Sequence, residues 1–530
     1  MTESHAEAGS GNPAIPPAAI ELLQELLAKL SEAGSLAKMV LLALAGVRRL
    51  GLILLAHALE QRDQKFRHRR EKVDCPDCAL AMHRSKNLRH VRRFTLLGKL
   101  VYWRCGYFCP KCERRLFPLD RELDLAPNLR GHSSEFASKL VLLCTVVPFG
   151  KGCELFASFC GFAVSTRLAR ALTFAIGTRL FEAEMQRAKT LWEQRATNPE
   201  IFEPVPAKLR TIERHERVYV MTDNSKIGLQ EGKRGRHAPK VKTLRKILQH
   251  ERLKRTRKAK RAKPGPEPVE PIDSIKEDGL DDDSWRDIRG LLIFREADLA
   301  QSSASRREII KRRVIGHVGS KEEWLQLVHM AFHEEGVYTA REVVVVADGG
   351  NGIWELIEEL LPSTSSRRVV EILDWYHAAS HLWAVGRALK GSKTPAQKQR
   401  CIAWVTTLLD NLAAGQVANV LQRLHKLKNL RGESEDTVRK CIKYFDAHRR
   451  RMRYAWYRKN KMLIGSGAME SIHAWVFQPR CRLPGMRWSK AGANAILRLR
   501  CSWASGRWDE DFASAAAAVD ETPRQIKAAA

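Results

Sequence analysis

Glu342-Val-Val-Val-Val-Ala-Asp348 is followed at once by Gly349-Gly350-Asn351-Gly352. A short, unbroken apolar run has no solvent-facing side, so it reads as a strand covered on both faces, as in an α/β sheet. Its last residue is a carboxylate, and the glycines after it mark a tight loop. Upstream, Arg217-Val-Tyr-Val-Met-Thr-Asp223 has the same texture and the same ending. Gly290–Phe294, Val314–Val318 and Val369–Asp374 read as three more strands. Glu322–His333 and Ile353–Leu361 read as helices, the second stopped by Pro362. Three strands, a helix, a strand, a helix and a strand make an α/β core with a mixed sheet.

Ligands of such sheets bind beyond the carboxyl ends of the strands. Two Asp residues delivered there suit divalent-cation chemistry on phosphodiesters. One cation lowers the pKa of the attacking oxygen and a second, about 4 Å away, steadies the leaving oxygen. Mg2+ takes oxygen ligands, so Asp223 and Asp348 are natural first ligands. The residues alone leave the third open among Asp374, Glu355 and Glu470.

A resemblance narrows that choice. Asp348-Gly-Gly-Asn-Gly-Ile-Trp-Glu355, then Ile372-Leu-Asp-Trp-Tyr-His377-Ala-Ala-Ser-His-Leu-Trp383, resemble the bacterial insertion-sequence transposases of the ISKra group. So do Ile464-Gly-Ser-Gly-Ala-Met-Glu470-Ser and Gly485-Met-Arg-Trp488-Ser. The resemblance extends from the cysteine knuckles and Leu116-Phe-Pro-Leu-Asp120 to Trp503, with its motifs in order. It implies a ribonuclease H-like core of the DDE type, with Asp223, Asp348 and Glu470 as catalytic residues holding two Mg2+ (or Mn2+). Asp223 departs from the pattern: Asn224 follows it where the family usually has Gly. The 122-residue separation of Asp348 and Glu470 contains a wholly helical stretch, His377–Met462, as in DDE enzymes with a helical insertion. Asp374 and His377 resemble a further signature of such enzymes. They read either as a pair that orients a metal-ligand carboxylate or the scissile phosphate, or as a buried pair fixing the strand end.

Ahead of the core, Cys75-Pro-Asp-Cys78 and Cys109-Pro-Lys-Cys112 are two Cys-x-x-Cys knuckles flanking a strand hairpin that turns at Gly98. Four thiolates so arranged fit one structural Zn2+. Arg84, Arg89, Arg92, Arg93 and Arg104 give this ribbon a basic surface. Helices marked by Phe136–Leu143, Gly150–Phe159 and Val164 onward, with Cys160-Gly161-Phe162 as a turn, follow a helix-turn-helix pattern. Arg167 and Arg170 lie on the first turns of the last helix. Any three-helix unit shares that pattern.

The 530 residues carry 91 Lys+Arg against 60 Asp+Glu, a net charge of +31, which calls for a polyanionic partner. The length suggests three or four units, and 44% hydrophobic residues exclude wholesale disorder. Met39–Leu59 is the most apolar stretch, but Arg48 and Arg49 divide it below bilayer length, so no membrane role is expected. Basic residues alternate with rings at Arg450, Arg453 and Trp456, and again at Arg480, Arg482, Arg487 and Trp488, beside the proposed Glu470. Both stretches suit a DNA channel. Residues 231–263 carry a net +13 and 267–287 a net −7, with no apolar period.

The expected division is a disordered tail at 1–19, a helical segment at 20–70, a zinc ribbon at 71–125 and a helix-turn-helix-like domain at 130–200. A catalytic core at 211–376 plus 463–505 is interrupted by a charged arm at 226–288 and a helical insertion at 377–462, and a tail spans 506–530. The expected activity is metal-dependent strand cleavage and transfer at the ends of a mobile element. The alternative is an inactive, domesticated DNA-binding derivative; a nuclease acting on RNA–DNA hybrids ranks third. Expected partners are double-stranded DNA, as terminal inverted repeats and target, and further copies of the chain. The expected location is the bacterial cytoplasm, at the nucleoid.

Overall fold

A computed structural model describes residues 15–68, 73–123, 129, 131–197, 217–229, 285–303, 306–350, 352–362, 367–483 and 486–517. Two helices come first, α1 (Pro17–Ser31) and α2 (Leu36–Arg67). Proline suits the opening turn of a helix, so α1 begins inside the span expected to be a tail, anchored by buried Ala19 and Leu22. Arg48 and Arg49 do not interrupt α2, because arginine is a good helix former. By length and composition α2 is therefore able to cross a membrane, contrary to the expectation from its two halves; only 6% of its most apolar window is buried.

The ribbon comprises β1 (Val73–Asp74), β2 (Ala81–Arg84), β3 (Arg89–Thr95), β4 (Gly98–Arg104), β5 (Tyr107–Phe108) and β6 (Arg115–Leu116), followed by the short α3 (Pro118–Glu122). The hairpin β3–β4 turns at Gly98, whose φ of 128° favours glycine. α2 docks on it through Asp63, a fully buried carboxylate that accepts from the Cys105 amide at 2.9 Å and from Arg67 Nε at 2.8 Å.

Three helices follow: α4 (Ser134–Val146), α5 (Phe149–Cys160) and α6 (Thr166–Thr197). Gly161, at φ 71°, ends α5, and Ser165 caps α6 by accepting from the Leu168 amide. With 32 residues, α6 runs on past any compact three-helix unit. Its far half joins the main core, where Glu184 meets Arg313 at 3.1 Å and Arg498 at 2.6 Å, all three buried.

The core continues through β7 (Arg217–Gly228), β8 (Trp285–Arg295), β9 (Leu299–Ser303), β10 (Arg306–Ile309), β11 (Arg313–His317), α7 (Lys321–Glu334), β12 (Glu342–Ala347), α8 (Ile353–Leu360) and β13 (Arg368–Leu373). The sheet order is β11-β8-β7-β12-β13. The first three strands are antiparallel, whereas β12 runs parallel to both β7 and β13. The mixed sheet expected from the apolar runs is present; the small β9–β10 hairpin carries no such run and escapes that reading. β7 and β8 pair as far as Gly228 and Trp285, so the expected arm loses 226–228 and 285–288 to the sheet. Residues 230–284 lie outside the described residues.

Beyond the sheet come α9 (Trp375–Lys390), α10 (Pro395–Ala413), α11 (Val417–His425), α12 (Glu433–His448) and α13 (Tyr454–Lys459), the helical stretch expected there. Then follow α14 (Gly467–Ile472), a π-helical turn (His473–Phe477), α15 (Gln478–Cys481), α16 (Lys490–Ala504) and α17 (Trp508–Ala517). α16 is buried against α6, β11 and α4. α17 occupies part of the expected C-terminal tail. Trp508 and Phe512 pack into the α4–α6 cluster, and Trp508 Nε1 donates to Ser138 Oγ at 3.0 Å. Apolar anchors at Ala-rich spacing suffice to dock a helix on an existing core.

His329 of α7 is fully buried, its Nδ1 2.7 Å from the Tyr338 hydroxyl. Burial pushes its pKa down to about 4 from an ordinary 6.5. Above about pH 6.5 both folded and unfolded chains hold it neutral. Between about 6.5 and 4 only the unfolded chain takes up the proton, so stability falls with falling pH. Denaturant midpoints at pH 7 and pH 5 should show a loss of about 1–3 kcal/mol from this group, a loss that shrinks in His329→Gln.

Candidate functional site

Register aligns the strand ends. Ala347 pairs with Thr222 on one side and Leu373 on the other, so the next residues, Asp223, Asp348 and Asp374, stand at one level on three adjacent parallel strands, Asp348 and Asp374 just past the ends of β12 and β13 and Asp223 within β7. Neighbouring strands are about 4.8 Å apart. Across the antiparallel half the same row continues as Gly290 and Gly316, because Asp223 pairs with Gly290 and Gly290 with Gly316. Three carboxylates and then two residues without side chains make up the row.

The glycines explain how Glu470 reaches this edge. A Cβ on Gly316 would lie 2.7 Å from Phe477 Cε1, and one on Gly290 would lie 2.8 Å from Phe477 Cε2. Phe477 ends the π-helical turn that follows α14, the helix carrying Glu470. The bare row therefore lets this segment lie flat on the sheet beside Asp223. π-turns are rare and cluster at functional positions. This one presents His473, which is buried, with Nε2 3.4 Å from Asp223 Oδ2. Burial pushes the His473 imidazole down to about 4.

Asp374 is fully buried. It caps α9 by accepting from the His377 amide at 2.7 Å, and it also accepts from the Ser466 amide in the loop just before α14. Trp375 N donates to Ile464 O at 2.9 Å in the same loop. Burial alone would raise the Asp374 pKa; the hydrogen bonds from His377 and Ser466 outweigh it and hold the carboxyl below its usual range. Its oxygens are taken up by backbone, so Asp374 holds together the segments that carry the other acids. The His377 ring lies 3.4 Å from Asp374, and that partner, with the charges of Asp348 and Asp223, raises its pKa.

Asp223 is the acid most changed by its surroundings. Burial pushes its pKa up to about 6; the Asn224 amide pulls it down, while the charges of Asp348 and Glu470 raise it further. The charges of both other acids thus reach Asp223. Asp348 accepts from the Gly350 amide at 2.8 Å, and Glu470 is exposed on α14. Their ligand atoms are not all within 4.8 Å of one another, unlike those of the cysteines below. Two exposed rings stand beside the acids in the chain: Tyr376 next to the Asp374 cap, packed on Gly465, and Trp475 in the π-turn, 73% exposed. His473, Gly290, Gly316, Tyr376 and Trp475 were not singled out in the sequence; two glycines in adjacent strands were the available signal.

The second site is in the ribbon. The Sγ atoms of Cys75, Cys78, Cys109 and Cys112 all lie within 4.8 Å of one another and could hold a metal ion. Cys78 and Cys109 are 3.6 Å apart, matching the roughly 3.8 Å edge of a tetrahedron with Zn–S bonds near 2.3 Å. The two knuckles repeat one geometry: Ala79 and Glu113, each just after the second cysteine, both have φ of 54°. Backbone N–H groups, first that of Cys112, aim at Cys109 Sγ and hold its thiol below the usual range. Cys105 lies outside the set, with its amide bound to Asp63.

The basic residues divide in two. Arg167, Arg170, Arg450, Arg453, Arg482 and Arg487 are exposed, as a DNA-facing role requires. Arg480 and Trp488 are not, which corrects the reading of both. Arg480 is fully buried, with its guanidinium 4.9 Å from the Phe149 ring and 5.6 Å from Trp488, and its Nε donates to Cys144 O at 3.2 Å. Trp488 joins the sheet edge, donating its amide to Gly228 O at 3.2 Å. The Trp456 ring is half-buried and taken by cations, with Arg368 at 4.6 Å and Arg453 at 5.1 Å. In the ribbon, Arg93 and Arg104 pair with Asp120, leaving Arg84, Arg89 and Arg92 exposed.

Two outcomes test this geometry. Cys109→Ser should lower bound zinc, measured by elemental analysis, from one per chain to less than one-tenth; undiminished zinc would mean the thiols are not its ligands. Gly316→Val should destabilise the chain by about 1–3 kcal/mol in denaturant unfolding, because Phe477 has no room to retreat; an unchanged midpoint would show that the π-turn is not seated as described. Neither models of known protein families nor curated proteins match this chain.

Proposed function

We propose that the chain is a DDE-type DNA transposase with a ribonuclease H-like core, as the resemblance in its motifs implies. One observation carries the reading. Asp223 within β7 and Asp348 at the end of β12 stand at one level on neighbouring parallel strands, and the Asp374-tied loop brings Glu470 close enough to act on Asp223's charge. The strand order, three antiparallel strands and then two parallel ones, supports the same core.

A buried Asp223 whose charge is further opposed by Asp348 and Glu470 is what a bound cation would relieve, so this donor set fits Mg2+ or Mn2+. Asp223, Asp348 and Glu470 would hold two such ions. When bound, they make water or a 3′-hydroxyl more acidic and neutralise charge on the leaving oxygen. The chain's own part is positional. His377, made more basic by Asp374, sets a ring beside the acids that is suited to donate to a phosphate oxygen. In the first step a water oxygen bonds to phosphorus while the P–O3′ bond breaks, freeing a 3′-hydroxyl. That hydroxyl then attacks a target phosphodiester in line, forming one P–O bond as another breaks. The ribbon, the α4–α6 helices with Arg167 and Arg170, and the exposed Arg450, Arg453, Arg482 and Arg487 would bind the inverted repeats and target.

A second reading is a DNA-binding protein that no longer cleaves. It is favoured by the looser spacing of the acids, whose ligand atoms do not gather as the thiols do. The two separate in one assay. With DNA carrying the element's ends and Mg2+ or Mn2+, the wild-type chain should nick at the end, and Asp348→Asn or Glu470→Gln should lower the rate at least 1,000-fold with DNA affinity kept. Binding without cleavage by the wild type favours the second reading, and cleavage undiminished in both variants excludes the first.

A further inference from the structure

A recess of about 230 Å³ lies toward the end of the sheet away from the acids. It is walled by the last residues of β8, the first of β11 and the turn that follows α16. Arg313 pairs with Ile293 and Ile293 with Val220, three residues short of Asp223 along β7. At about 3.3 Å per residue, that sets Arg313 about 10 Å from the level of the acid row. Five of the lining residues are cations, Arg295, Lys311, Arg312, Arg313 and Arg507, against the acids Asp298 and Glu335.

Arg313 is the deepest of them and the least satisfied. Its side chain is 1% exposed. Its hydrogen bonds to Glu184 at 3.1 Å and to Glu334 at 3.2 Å both use Nη2. Nε lies 3.9 Å from Glu335, beyond hydrogen-bond reach, and neither Nε nor Nη1 has a hydrogen-bond partner among the described residues. Those two atoms carry three of the five N–H groups of a guanidinium. A buried donor without an acceptor is costly, and three on one side chain mark a place for acceptor oxygens. Burial, and then the charge of Arg498, hold the Arg313 pKa below its ordinary value, so its charge is incompletely compensated.

The neighbours offer further donors. Ser505 Oγ accepts from the Val314 amide at 2.9 Å, which leaves its own proton to donate. Arg312 is tied by Nε to Ala504 O at 3.1 Å, which fixes its stem at the recess. Arg295 and Lys311 form no ion pair among the described residues. Beneath them, Glu184, Glu334 and Asp511 are already shared among Arg313, Arg498 and Arg507. Recess and underlying layer together hold six cations and five acids, so uncommitted donors rather than bulk charge choose the ligand.

We propose that the recess binds a small free polyanion of the phosphate class, with Arg313 at its floor and Arg295, Lys311 and Arg312 at its mouth. Arginine forks match phosphate oxygens two at a time. The volume falls below the ~300–1,000 Å³ of sites for drug-sized ligands, which suits phosphate or pyrophosphate. DNA fits less well: a diester phosphate carries a sugar on each side and would rest at the mouth, short of Arg313. The inference stands apart from the catalytic proposal, since it needs neither the acids nor cleavage.

Calorimetric titration of the full chain with pyrophosphate, in about 0.2 M KCl and without added divalent cations, is the test. The wild type should bind one per chain with a Kd below about 1 mM. Arg295→Ala with Lys311→Ala should weaken binding at least 10-fold, and Arg312→Gln should do so separately, each variant keeping its zinc. Lys398→Ala with Arg400→Ala, exposed on α10, removes the same two kinds of charge elsewhere and should leave binding intact. No binding up to about 10 mM overturns the proposal, and so does equal weakening by the α10 pair or binding indifferent to both mouth variants. Mouth variants that leave pyrophosphate binding unchanged but flatten the salt dependence of duplex DNA binding would also overturn it, by assigning these cations to DNA.

Discussion

One buried carboxylate organises the region where sheet and helices meet. Asp374 accepts backbone N–H groups from two segments nearly a hundred residues apart, the start of α9 and the loop before α14. A charged group with no exposure is tolerable only because several donors converge on it. Those donors would in turn be orphaned if it were removed. The edge of the sheet therefore cannot shift independently of the segment bearing Glu470. The helical layer, α9 to α13, is attached to the same spot: Tyr454 donates to Leu373 O at 3.0 Å and Tyr444 to Asp348 O at 2.5 Å. Both tyrosines bind carbonyls at strand ends, which have no further strand to satisfy them.

The strands were legible because each is a run with no polar face, a pattern only a doubly covered sheet accepts. The knuckles were legible because proline and cysteine recur at fixed spacing. What could not be read was what the strands leave empty. Gly290 and Gly316 look like ordinary interruptions in the chain; only cross-strand pairing makes them one seat for Phe477. Likewise Asp374 and Asp348 share one texture, an apolar run ending in Asp. Whether such a carboxylate faces solvent or is consumed by amides depends on residues near position 466, which sequence distance hides.

The basic residues teach the same lesson from the other side. Arg480 and Trp488 lie in a stretch as cationic and aromatic as any nucleic-acid surface, yet both are interior. An arginine between two rings satisfies the same contacts in a core as on a base. Arg500 extends the point. It is buried and gives hydrogen bonds to Thr145 O and Trp475 O, both at 2.6 Å, joining α4 to the π-turn. Part of the large positive charge is thus structural cement rather than a surface for polyanions, and composition alone cannot apportion it.

The position of α16 has a consequence for how the chain is made. It covers β11 and fills the space between α6 and α4, yet it follows the last strand of the sheet by 116 residues, 374–489. On a ribosome adding roughly 5–20 residues each second, about 6–26 s separate the emergence of β13, the last strand of the sheet, from that of α16. For that interval the sheet has one face without its permanent cover, and the buried arginines of α16 have not yet met their partners. Nascent chains of this architecture must wait in a partly open state until α16 emerges, and a chaperone that shields a half-covered sheet would act before residue 500.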